Sequence, residues 1–170
     1  MSNLLLRNIG RFVLLILLQV LVLNNLQIGS LFNPYLYILF ILLLPFATPK
    51  WLLLLSAFLL GITLDIFCNT IGMHIITSVF IAFIRPGVIN SISSNKDYEQ
   101  FDAPNIRDLG LVWFLSYSTI LIFVHHFLFF FLEAFSFNGF FHTFFKAILS
   151  SFLTILFVFI GQYLFYKQKK

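Results

Sequence analysis

Asp65 is a lone carboxylate inside an otherwise apolar run from Ala57 to Arg85, with no charged neighbour for many residues on either side. An ionisable group at membrane depth is costly, faces the interior of a helix bundle, and by default marks a functional site. Its plainer role would be that of a structural carboxylate near a helix end. Ala57, Gly61 and Asp65 recur at every fourth position, which on a helix makes one stripe of small residues leading up to the acid. His74, Ser78 and Ala82 repeat that spacing beyond the polar stretch Cys68-Asn69-Thr70-Ile71-Gly72. That stretch is short enough to join two antiparallel helices. Asp65 and His74 then lie equally far from the turn, and the two stripes can face each other. Helix rotation is not set by sequence, so a direct Asp65–His74 contact and a mere proximity both remain open.

The other groups with chemical potential are His125, His126, Glu133, His142 and Lys146. Histidines and acids collected on one side of a membrane invite a metal site, but the spacing argues against one. Adjacent helical residues point about 100° apart, so His125 and His126 cannot grip one ion as an i, i+4 pair can. No His-Glu-x-x-His or paired-cysteine pattern occurs. The expectation is no metal, and a secondary polar cluster of His125, His126, His142 and Lys146 that holds helices in register or receives a partner. Lys146 follows His142 by four residues and can reach toward Asp65 or extend outward to the headgroups. No Ser-His-Asp set, nucleophile elbow, phosphate-binding glycine loop or dinucleotide fingerprint is present. We therefore expect no enzyme activity and no cofactor. Cys68 is the single cysteine, which excludes an internal disulfide.

The elements that must carry these groups follow from composition. The chain is 61% hydrophobic and 9% charged, where an ordinary soluble domain is about 25% charged, and its mean hydropathy is +1.02. Nearly all of its 170 residues are needed for membrane spans, which leaves no room for a soluble catalytic domain. The fold expected is an all-α membrane protein, one integral domain with six transmembrane helices at about 12–26, 34–47, 51–67, 72–88, 109–133 and 140–166. Arg7 and Arg11 ahead of an apolar run resemble a secretory signal, but no small-x-small cleavage pair follows, so the run reads as an uncleaved first span. Gln19 inside it is an interhelical hydrogen-bonding group. Segment 34–47 is shorter than the roughly 17–25 residues of an ordinary crossing; it is either a short span extended by its flanks or a re-entrant segment. Trp51 opens the third span at the interface, where indoles are favoured. Arg85-Pro86-Gly87 stops or bends the fourth. The loop 91–108, with Asp97, Glu99, Asp102 and Asp108 interleaved with Lys96 and Arg107, reads as a solvated cytoplasmic connection.

A net charge of +4 and a pI near 9.4 mark orientation here and not nucleic acid. With six crossings and the N-terminus inside, Arg7, Arg11, Lys50, Arg85, Lys96, Arg107, Lys167, Lys169 and Lys170 all fall at the cytoplasmic side, and only Lys146 does not. Both termini are then cytoplasmic, and the basic tail anchors the last helix at anionic lipid headgroups. Phenylalanine is concentrated in the last two spans, as lipid-facing bulk or as a groove for another protein's transmembrane helix.

About six hydrophobic spans in this length, an arginine-flanked first helix, and G-x-x-x-D in Gly61 to Asp65 followed by Gly72-Met73-His74 and Arg85-Pro86 together resemble the rod shape-determining MreD family, in the form found in the Bacteroidetes group of bacteria. The resemblance implies a small, non-catalytic protein of the bacterial inner membrane, part of the cell-elongation machinery. It implies binding to the scaffold protein MreC, through MreC's transmembrane and adjacent periplasmic segment, and work beside peptidoglycan synthases in cell-shape control. It also implies a fold similar to the vitamin-binding S components of energy-coupling-factor transporters. Gly61, Asp65, Gly72 and His74 are the matching motif positions, with a structural or partner-binding role, the glycines permitting close approach. The kinship in fold gives the alternative, a substrate-binding subunit of a small-molecule transporter. Such subunits dock through small residues on their first helix, and residues 12–26 contain neither alanine nor glycine.

Overall fold

A computed structural model describes residues 2–26, 33–92, 101–136 and 139–165. Helix α1 (Ser2–Leu17) continues through a π-helical turn (Leu18–Val22) and a 3-10 turn (Leu23–Asn25). Then come the short α2 (Ile38–Leu42), α3 (Lys50–Cys68), α4 (Met73–Ile92), the short α5 (Ile106–Leu109), α6 (Leu111–Ala134) and α7 (Phe140–Phe165). No strand occurs among the described residues. Five helical stretches are long and apolar enough to cross a membrane: Leu6–Asn25, Lys50–Cys68, Met73–Ile92, Leu111–Ala134 and Phe140–Gln162. Large apolar side chains such as Leu21, Phe83, Val112 and Phe141 stand exposed on their outer faces, as a bilayer solvent requires.

Several expected boundaries move. The first helix begins ten residues earlier than the span 12–26. The fourth runs to Ile92, so Pro86 does not end it. Proline removes a single intrahelical donor at about 3 kcal/mol, and α4 offsets this by burying Ile81, Ala82 and Ile89 among its neighbours. The loop 91–108 is not wholly a solvated connection. Its described part folds onto the bundle: the Phe46 amide donates to the Asp102 carbonyl at 3.1 Å, and Ala103 and Asn105 are buried. Asn105 Oδ1 caps α5 by accepting from the Asp108 amide at 2.8 Å. Gly110, at φ +84, separates α5 from α6. Lys96, Asp97 and Glu99 lie outside the described residues, as do Lys167, Lys169 and Lys170.

The organising feature is the segment around α2. Tyr37 through Leu44 are all buried, and the core forms round them. An apolar stretch buried on every side belongs inside a bundle and not against lipid. The segment also has a direction. At its start, Gln19 holds it from both sides, donating to the Pro34 carbonyl at 3.0 Å and accepting from the Leu36 amide at 2.9 Å. At its end, Arg11 Nη1 donates to the Leu43 carbonyl at 3.0 Å. Eight residues of helix separate Arg11 from Gln19, a depth of roughly 12 Å. Since Asn24 meets Cys68 at the far end of α3 (Nδ2 to Sγ, 3.1 Å), α1 and α3 run in the same direction. The intervening chain returns along the bundle interior.

Irregular backbone at membrane depth is tolerated only where its polar groups find partners inside the protein. The neighbouring helices supply them. Ser150 Oγ accepts from the Asn33 amide at 3.0 Å, and Thr154 Oγ1 from the Tyr35 amide at 3.1 Å. The Tyr117 hydroxyl donates to the Leu42 carbonyl at 3.0 Å, and Arg85 Nη2 donates to the Leu44 carbonyl. Gln19→Leu is expected to strand the Pro34 carbonyl and the Leu36 amide together, at about 1–3 kcal/mol for each group. A thermal melt in detergent, against the near-isosteric Gln19→Glu, measures it.

Candidate functional site: a carboxylate lock between two helices

Helix α3 ends at Asn69 in the left-handed conformation, φ 54, and Gly72 at φ +76 redirects the chain into α4. The hairpin lays the two small-residue stripes together: Ala57, Leu60, Gly61, Leu64 and Asp65 on α3, and His74, Ser78, Ile81 and Ala82 on α4, are buried. Gly61 sets the closeness. A Cβ there would lie 2.5 Å from Ile75 Cα and 2.8 Å from the His74 carbonyl oxygen. Gly72 serves differently from the close approach expected of it. A Cβ on Gly72 would meet nothing within 4 Å, and its requirement is the positive φ. Gly72→Ala should therefore cost only about 1–2 kcal/mol, the penalty of placing a side chain in that region. Thermal unfolding should rank it well below Gly61→Ala.

Where the stripes meet, Asp65 is 6% exposed and every donor it meets comes from the turn or from α4. Its Oδ1 accepts from the His74 amide at 3.1 Å, and its Oδ2 from the Ile75 amide at 3.0 Å. These are among the first amides of α4, which have no partner within their own helix. Asp65 thus caps the following helix from the end of the preceding one. Negative charge also suits the positive end of the α4 dipole. Oδ1 further accepts from the Thr70 hydroxyl and lies 3.1 Å from His74 Nδ1, which in turn is 3.0 Å from Thr70 Oγ1. A carboxylate only accepts, so His74 carries a proton on Nδ1 in this arrangement. The chemistry available is hydrogen-bonded locking of a helix hairpin.

Beside this lock the expected secondary cluster divides. His125 and His126 are fully buried on α6. His125 Nε2 lies 2.7 Å from the Tyr37 hydroxyl, while His126 bonds through Nδ1 to the Ile122 carbonyl at 2.8 Å and through Nε2 to Thr154 at 3.0 Å. Tyr35 sits among them, with ring centroids 5.8 Å from His74, 5.8 Å from His125, 5.3 Å from His126 and 4.6 Å from Phe129. His142 is exposed and takes no part. Lys146 reaches neither Asp65 nor the histidines; it pairs with Glu133 at 2.8 Å and lies over the Phe130 ring at 4.4 Å. Among the described residues, no three histidine, cysteine or acidic groups are arranged to hold a metal ion.

Sequence reasoning passed over Thr70, Tyr35, Tyr37, Tyr117, Ser150 and Thr154, which complete these contacts. Ser150 and Thr154 did carry a signal, being polar residues four apart in an apolar helix. Arg85, by sequence an orientation mark and part of a stop or bend, gave another: a cation within an apolar helix.

The fold and site define a multi-pass α-helical membrane protein built round a helix-hairpin lock and a buried broken segment. In comparisons with known proteins, no family model, no curated protein and no solved structure matches the chain.

Proposed function

We propose that this protein is a non-catalytic, MreD-like component of the bacterial cell-elongation machinery, spanning the inner membrane six times with both termini cytoplasmic. In that role it binds MreC and supports peptidoglycan synthases. The observation that carries the reading is the use of Asp65: the G-x-x-x-D and G-M-H motif residues engage one another and the α4 backbone, with Tyr35, Tyr37 and Phe129 packed around His74. A motif consumed in fixing a hairpin suits a scaffold. A capture site for a small molecule would leave such groups facing a hollow.

Six crossings accord with the segment around α2 returning from the level of Gln19 to that of Arg11, since partly extended chain gains more depth per residue than helix. Five long helices plus that return give an even number of passages. Arg11, Lys50 and Arg85 then gather at one end with Asp102, and the Asp65 lock lies at the other. Reporters fused after Asn33 and Asn69 are expected outside, and cytoplasmic signals there would remove the six-span arrangement. Exposed Val13, Leu14 and Leu17 on α1, and Leu21 in the π-helical turn that continues it, offer bulky rather than small contacts, which disfavours docking to a transport engine. Functionally, depletion in the host bacterium is expected to round the cells, with recovery on re-expression; unchanged cell shape and normal wall synthesis would overturn the role.

A further inference from the structure

Arg85 raises a question of charge that the fold alone does not answer. It is 2% exposed, and its hydrogen bonds go to neutral oxygens, Nε to the Tyr117 hydroxyl at 2.8 Å and Nη2 to the Leu44 carbonyl. Among the described residues no carboxylate forms an ion pair with it. Asp102, which approaches through its backbone carbonyl on the Phe46 amide, keeps its side chain exposed. A guanidinium stays ionised, and a buried charge without a counter-charge is costly.

Arg85 lines a cavity of about 110 Å³ together with Lys50, Thr48 and Asn90. One water needs roughly 10–15 Å³, so the space admits a polyatomic group. The N-terminus of α3 opens beside it, capped by no side chain and with no acidic residue in its first turn. A second cationic residue, a threonine and the positive end of a nineteen-residue helix thus border the same cavity as the buried guanidinium. We infer that this cavity binds a phosphate group, held on the fork of Arg85 and neutralised by Lys50. Guanidinium matches phosphate oxygens in a two-pronged contact that a halide or a single carbonyl cannot use. Thr48 also borders an apolar groove of about 670 Å³ between α1 and α3, lined by Phe12, Phe40, Leu52 and Leu59. A phosphate carried by a membrane lipid can therefore place its head in the small cavity and an acyl chain in the groove. Free phosphate offers the same head without the chain. The inference is independent of the proposed cellular role.

Full-length protein, stripped of lipid in detergent, would be titrated with phosphatidylglycerol, with diacylglycerol of the same acyl chains, and with inorganic phosphate, binding being read by native mass spectrometry and thermal shift. We expect phosphatidylglycerol to bind at one site and diacylglycerol not to. Lys50→Gln, an exposed position remote from the core, should weaken phosphatidylglycerol about tenfold, equivalent to about 1.4 kcal/mol. Arg85→Gln should abolish binding if the variant folds. Ser56→Phe, which narrows the groove, should weaken the phospholipid but leave inorganic phosphate unaffected, which assigns the source to lipid. Binding of inorganic phosphate that is sensitive to Lys50→Gln but undisturbed by the phospholipid would assign it to a soluble phosphate instead. Equal retention of phosphatidylglycerol and diacylglycerol, or phosphate and phospholipid binding unchanged in folded Lys50→Gln, would overturn the site.

Discussion

Asp65→Leu is expected to destabilise the protein by about 3–5 kcal/mol, since it strands several donors at about 1–3 kcal/mol for each that finds no other partner. The leucine fills the volume but accepts nothing. The amides of His74 and Ile75, the Thr70 hydroxyl and the His74 ring then lose their shared acceptor while His74 stays buried and Thr70 and Ile75 half-buried. The start of α4 must fray to reach other partners, and fraying breaks the register of both stripes. Within a membrane the unfolded reference also finds some partners, which places the loss toward the lower end of that range. Asp65→Asn keeps one acceptor oxygen but presents an NH₂ to donors that cannot use it, so it should fall between leucine and the native residue. Thermal unfolding in a mild detergent reads the order. Equal melting of Asp65→Leu and the native protein would mean that the carboxylate does not hold the hairpin.

Gly61→Ala is expected to cost about 3 kcal/mol, at the upper end for overpacking. The added methyl meets backbone, with Ile75 Cα at 2.5 Å and Ile75 N at 2.7 Å, and backbone cannot rotate away as a flexible side chain can. The helices have to separate at the point where Asp65 reaches the amide of Ile75. The two substitutions therefore damage one structure, and Gly61→Ala combined with Asp65→Leu should cost less than their sum. Gly10→Ala is the internal control. Nothing lies within 4 Å of a Cβ there, and alanine is the better helix former by about 1 kcal/mol. Stability should hold or rise in Gly10→Ala and fall in Gly61→Ala.

The hairpin was legible in sequence because its signals are local. Small residues every fourth position, a five-residue polar break and a single acid leave few ways for two helices to meet. The role of the acid as a cap supplied by the preceding helix was less so, since it depends on the αL turn at Asn69 and on Gly72 bringing the α4 amides back over α3. Segment 34–47 was the hardest. Its length fits neither a span nor a loop, and what decides its course is a set of distant side chains, Gln19, Arg11, Arg85, Tyr117, Ser150 and Thr154, each satisfying one or two backbone groups. No window of sequence around the segment contains them. His142 and Lys146 were grouped with His125 and His126 by depth alone, whereas rotation about α6 and α7 turns His142 outward, lays Lys146 half-buried against Glu133 and the Phe130 ring, and buries the two histidines of α6.

The proposal of an elongation scaffold rests most directly on its partners. The protein would be recovered from its native membrane in mild detergent under its own promoter, and co-purifying proteins and small molecules identified together by mass spectrometry. Recovery of an MreC-type protein with a single membrane span, or of a peptidoglycan synthase, lost in Asp65→Leu and retained in Gly10→Ala, is the expected result. Recovery of an ATPase-linked transport module or a stoichiometric vitamin would contradict it and make the protein a transporter subunit.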